Sequence, residues 1–146
     1  MFKKVASLLF ALIGINAYAG CDNSIDNLTD PNIATDCFRE GKFTEALKRA
    51  DAIIQLDKKN PLSWRFKGEV LFQIEKYDDA VKAFESAERI GGVGTEEIFF
   101  WRALAYYNSG NLSKANEVFN NYLKADDNSP AMVARVNAAL AKINGN

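Results

Sequence analysis

The chain contains no histidine, so the side chain that most often acts as general base or metal ligand near neutral pH is missing. Nucleophile systems built on serine–histidine or cysteine–histidine pairs are thereby excluded. A zinc site would have only Cys21, Cys37 and carboxylates to draw on. Two carboxylates acting as acid and base would have to face each other across a cleft, and no convincing pair stands in suitable register. Gly91-Gly92-Val93-Gly94-Thr95 could present backbone amides to an anion, yet it lacks the lysine of a phosphate loop and is followed by Glu96 and Glu97. It reads more simply as a flexible loop with Thr95 capping the next helix. Asp126-Asp127-Asn128-Ser129 lacks the alternating ligands and the glycine of a calcium loop and reads as a polar turn. Asp78-Asp79 is a charge effect at a helix start. The expectation is a protein that is not an enzyme, with no catalytic residue, no metal and no cofactor.

The two cysteines belong to a different chemistry. Lys3 and Lys4 precede an uncharged, mostly apolar run from Val5 to Ile15, and Ala17-Tyr18-Ala19 offers small residues at the positions that a signal peptidase inspects. The run is shorter than the roughly 20 apolar residues that span a bilayer, so residues 1–19 read as a secretion signal of bacterial style. Cleavage after Ala19 would remove two lysines and no acid, taking the formal charge from -1 to -3. Both cysteines fall in the exported part. An even count in an oxidising compartment favours a Cys21–Cys37 disulfide, which would close a loop worth about 3 kcal/mol. The alternative is acylation of Cys21 as a lipoprotein, against which Tyr18 stands where such signals usually carry leucine; unpaired thiols are the third reading. The expected location is periplasmic or secreted, with an outer-membrane lipoprotein as the alternative.

Eighteen basic and nineteen acidic residues without long runs of one sign leave no basic face to displace the counterions of a nucleic acid. At 146 residues and 48% hydrophobic content the chain suits one packed domain. Comparing the chain with itself gives its organisation. Residues 27–60, 61–94 and 96–129 align: Phe43, Tyr77 and Leu112 correspond, as do Ala46, Ala80 and Ala115, at spacings of 34 and 35. The series Ala34, Gly68, Ala103 and Ala50, Phe84, Phe119 repeat the same two spacings. Each unit holds two stretches of helical length joined by a turn, with Gly41 and Gly110 in the turns of the first and third. After Pro130, Met132, Val133, Val136, Leu140 and Ile143 keep one helical face. That pattern predicts a capping helix over 130–144, with 20–30 as an N-terminal segment.

Trp64, Gly68, Tyr77, Ala80, Phe84 and Ala87 fall on six signature positions of the tetratricopeptide repeat, which the chain resembles over about 100 residues. The first unit is weaker, with Asp30 in the place of Trp64 and Ala50 in the place of phenylalanine; in the third, Phe99 rather than Trp101 takes the place of Trp64. The resemblance implies an all-α fold, a right-handed superhelical stack of about three helix hairpins closed by the capping helix. It also implies a groove, lined by the first helix of each pair, that receives a protein or peptide partner. Carried over by register, the groove residues are Thr35 and Phe38, then Arg65, Glu69, Phe72 and Gln73, then Phe100, Leu104, Tyr107 and Asn108. Some relatives clamp a terminal carboxylate there, but Thr35, Glu69 and Leu104 replace the asparagine that recurs in such clamps. With Phe99, Phe100 and Trp101 adjacent, an exposed apolar patch is expected. The functional expectation is a binding scaffold of the cell envelope; its alternative is a Cys21-anchored structural subunit associating through that patch, and membrane contact is expected only in that case. So short a stack also leaves a homodimer among the expectations.

Overall fold

The computed structural model describes residues 20–21, 27–92, 95–125 and 128–145. The secretion signal at 1–19, residues 22–26 of the 20–30 segment, and parts of the Gly91–Thr95 and Asp126–Ser129 readings lie outside the described residues. Seven helices and no strand occur among those described: α1 (Pro31–Arg39), α2 (Phe43–Leu56), α3 (Pro61–Gln73), α4 (Tyr77–Ile90), α5 (Thr95–Asn108), α6 (Leu112–Leu123) and α7 (Pro130–Ile143).

Local chemistry sets where these helices start and turn. Three of the odd-numbered helices begin with proline at the first position behind a capping side chain: Asp30 accepts from the Asn32 amide, Asn60 from Leu62 and Ser129 from Met132. Proline needs no hydrogen bond there, and the cap satisfies an amide that the helix leaves orphaned. Inside each hairpin the chain reverses through one left-handed residue, with φ of 73° at Gly41, 61° at Glu75 and 83° at Gly110. Glu75 is the equivalent of the two glycines and holds the same turn without their freedom.

The helices stack in chain order. Each packs on its sequence neighbours, and the first helices of successive pairs also touch, α3 with α5 and α5 with α7. The core is accordingly a string of three clusters rather than one centre, as expected of a solenoid. One gathers Ile33, Cys37, Ala46 and Val70, the next Leu71, Ala80, Phe84, Ala87, Ile98 and Ala105, and the last Ala103, Phe119, Tyr122, Met132 and Val136. Gly68 lets α3 and α4 approach: a Cβ built there would lie 2.6 Å from the Phe84 ring.

At the N-terminal end Cys21 is bonded to Cys37, with an S–S distance of 2.02 Å. A sulfur so bonded cannot also carry the thioether of a lipoprotein. Glu40 accepts the Cys21 amide at 3.0 Å, and Lys42 donates to the Cys21 carbonyl at 3.0 Å while pairing with Glu40 at 2.8 Å. In the same hairpin Arg49 is fully buried, ion-paired with Glu45 at 3.1 Å and donating to the Asn27 carbonyl at 2.6 Å. At the other end Glu96 of α5 anchors the start of α7. One carboxylate oxygen accepts the Ser129 amide at 3.0 Å and the Tyr122 hydroxyl at 2.8 Å, and the other accepts the Ser129 hydroxyl at 2.9 Å.

The apolar patch expected at Phe99, Phe100 and Trp101 is not there. The three rings leave α5 in three directions and each is half-buried: Phe99 toward Tyr122, Phe100 toward Phe119, and Trp101 toward Phe72, at centroid distances of 6.4, 5.7 and 5.3 Å. Successive helical residues point about 100° apart, and α5 has neighbours on several sides, so adjacent rings find separate pockets.

Candidate partner-binding face

The ten register-derived positions sit on the first helices α1, α3 and α5, and eight of them fall into two depressions on either side of α5. The first, about 270 Å³, is lined by Phe38, Arg65, Glu69 and Gln73 together with Glu97 and Trp101. The second, about 390 Å³, is lined by Phe100, Leu104, Tyr107 and Asn108 with Arg135, Ala138, Ala139, Lys142 and Ile143 of α7. Thr35 and Phe72 line neither. The Thr35 hydroxyl donates to the Pro31 carbonyl of its own helix at 2.8 Å. Phe72 is occupied in packing, edge-on to Tyr77 and to Trp101, each at 5.3 Å.

Sequence reasoning missed the α7 wall. Arg135, Ala139, Lys142 and Ile143 each stand 35 residues after Phe100, Leu104, Tyr107 and Asn108, so α7 continues the first-helix register as well as closing the stack. Extending the same spacing once more would have found them. Trp101 was likewise legible: it stands 35 residues after Phe66 and repeats what Phe66 does. Phe66 meets Phe38 edge-on at 5.8 Å, and Phe38 also meets Phe43 at 5.6 Å. The trio Phe38, Phe43 and Phe66 is thus matched one repeat later by Phe72, Tyr77 and Trp101.

Charge divides the face. In the first depression Arg65 pairs with Glu69 at 3.0 Å, one helical turn apart. Burial nevertheless raises the Glu69 pKa from its ordinary value; Arg65 opposes the rise and the nearby Glu97 adds to it. In the second depression Arg135 pairs with Glu97 at 2.8 Å and lies over the Phe100 ring at 4.1 Å, a geometry in which cation–π attraction holds the guanidinium against the ring. Lys142 stands exposed further along α7. No group of three or more cysteine or carboxylate side chains placed to hold a metal ion occurs among the described residues.

Residues 32–94, which take in the first two hairpins, match the family model of the tetratricopeptide repeat. The N-terminal domain of stress-induced protein-1 (STI-1) from C. elegans superposes with a TM-score of 0.64, covering 77% of this chain and 91% of that one at 21% identity. Residues 32–94 are therefore tetratricopeptide repeats, and the stack as a whole has that fold. A chain from the structure of Naa15/Naa10 bound to HypK-THB aligns at a TM-score of 0.41 and 18% identity, over 76% of this chain and 23% of that one. No curated protein sequence matches. Tetratricopeptide-repeat proteins typically serve as non-enzymatic scaffolds for contacts between proteins, and the hairpins here present side chains on successive first helices in the way such a scaffold requires.

Proposed function

We propose that this protein is a non-enzymatic scaffold of the bacterial cell envelope that holds a stretch of a partner protein across α3, α5 and α7. The observation that carries the reading is the pair of depressions flanking α5, in which equivalent positions of successive repeats combine apolar area with hydrogen-bonding groups. Such a mixture suits an interface, where rings and aliphatic groups supply buried area and a few polar groups fix orientation. The envelope is supported by the signal-like residues 1–19 and by the Cys21–Cys37 disulfide, a bond that persists in oxidising compartments.

A photo-crosslinking amino acid placed at Tyr107, and separately at Lys48 on α2, tests this in native envelopes. Specific adducts from Tyr107 and none from Lys48 are expected. Adducts from Lys48 alone would move the interface to the second helices. In the same preparation, a purified chain whose first residue is Gly20 supports export, and an N-terminus that retains Lys3 and Lys4 refutes it.

A further inference from the structure

We propose, resting on that groove reading, that the α5/α7 cleft receives an apolar side chain, aromatic by preference, carried on an acidic stretch of the partner. The packing of the repeats themselves shows what is missing there. Phe38 is covered by Phe66 from the next first helix, and Phe72 by Trp101 in the same way. The equivalent ring in the third repeat is Tyr107, and the residue of α7 in register with Phe66 and Trp101 is Val136. Val136 is buried in the core beside Met132 and Phe119 and supplies no ring. Tyr107 is left 38% exposed, at the mouth of a cleft of about 390 Å³ with Leu104 and Ile143 among its apolar lining. The small Ala138 and Ala139 keep that space open. An incoming ring would find there the edge-on aromatic contact that the chain makes for itself in the two preceding repeats.

Charge then narrows the partner. Between residues 130 and 143 the only ionisable side chains are Arg135 and Lys142, and no acid occurs. Arg135 already pairs with Glu97, whereas Lys142 makes no ion pair among the described residues. An anchor flanked by aspartate or glutamate would place opposite charge beside Lys142. A basic flank would meet the uncompensated Lys142 cation at the edge of an apolar cleft, where water screens it less.

The test is a chemical-shift titration of the ¹⁵N-labelled chain, disulfide intact, with three synthetic peptides of equal length. One alternates aspartate with tryptophan and leucine; the second replaces its aspartates with lysines; the third replaces its tryptophan and leucine with serines. The first is expected to shift the amides of Leu104, Tyr107 and Ala139 and to bind about tenfold more tightly than the second, with the third weaker still. Lys142→Glu is expected to remove most of that preference, and Lys142→Met about half, with the rest of the spectrum unchanged. Equal affinity for the acidic and basic peptides at these amides would overturn the acidic specificity and leave the groove reading standing. Shifts confined to α2 and α4 would overturn both. If no peptide binds while Tyr107 still yields adducts in the envelope, the acidic–apolar ligand alone is refuted.

Discussion

The approach of α3 to α4 in the second repeat depends on one missing methyl group. Gly68 faces Phe84, whose ring atoms would lie 2.6 to 2.9 Å from an added Cβ, and Phe84 is fully buried. Gly68→Ala improves helix propensity by about 1 kcal/mol, but overpacking a closed site costs about 1–3 kcal/mol, and a contact this short belongs at the upper end. A net loss of about 1–2 kcal/mol in unfolding free energy is expected from denaturant titration. Adding Phe84→Leu to that variant should cost less than the same change does in the wild type; equal costs would show that the ring moves aside freely. The Gly68–Phe84 pair was visible in the sequence because both residues recur as a small-against-large series. Arg49 was not, because a Glu45–Arg49 pair four residues apart reads as a solvated helix face. Its register was informative all the same: Arg49 stands at the position of Ala83 and Val118, both buried. The guanidinium is tolerated there because Glu45 and the Asn27 carbonyl receive it.

Among the elements, α7 depends most visibly on a titratable group. Glu96 accepts from the Ser129 amide, the Tyr122 hydroxyl and the Ser129 hydroxyl, and these hydrogen bonds hold its pKa below the ordinary value. A carboxylate depressed on folding adds stability that is fully present above its unfolded pKa of about 4.3 and is lost as pH falls through the lower folded value. Tyr122 keeps its proton throughout this range, since burial and Glu96 both raise its pKa. Acidification below pH 4 should therefore release the start of α7 more than a neutral anchor would allow. Amide exchange of residues 130–136 should rise there in the wild type and depend much less on pH in Glu96→Gln, and identical profiles for the two would remove Glu96 from the account. The helix itself was legible from Met132, Val136 and Leu140, which keep one apolar face. Its second role, as a wall of the cleft, was not, because self-comparison stopped where the hairpins stopped. The three aromatic residues of α5 misled for a related reason: a short run of rings says nothing of how many neighbouring helices surround it.

In the whole molecule each hairpin contacts only its neighbours, so stability is a sum of local terms rather than one shared core. The two ends are secured differently, α7 by Glu96 and the first hairpin by the disulfide with the strap through Glu40, Lys42 and Arg49. α1 is the shortest helix of the seven, nine residues, and isolated helices of that length are marginal in water. Its place is therefore secured by the covalent link, by Cys37 in the core and by packing against α2. Closing a loop of 16 residues is worth about 3 kcal/mol in the chain-entropy model. Were the core single, a Cys21→Ala, Cys37→Ala double variant would lose that amount everywhere at once. In a stack coupled only between neighbours, the loss is expected to fall on α1 and α2, to fade through α3 and to leave α5 and α6 close to wild type in hydrogen-exchange protection. Uniform loss would mean that the hairpins unfold as one unit, and that the N-terminal strap stabilises the α5/α7 cleft from the far end of the molecule. A graded loss would mean that the cleft keeps its shape when the disulfide is reduced, so that partner binding at α5 and α7 survives reduction.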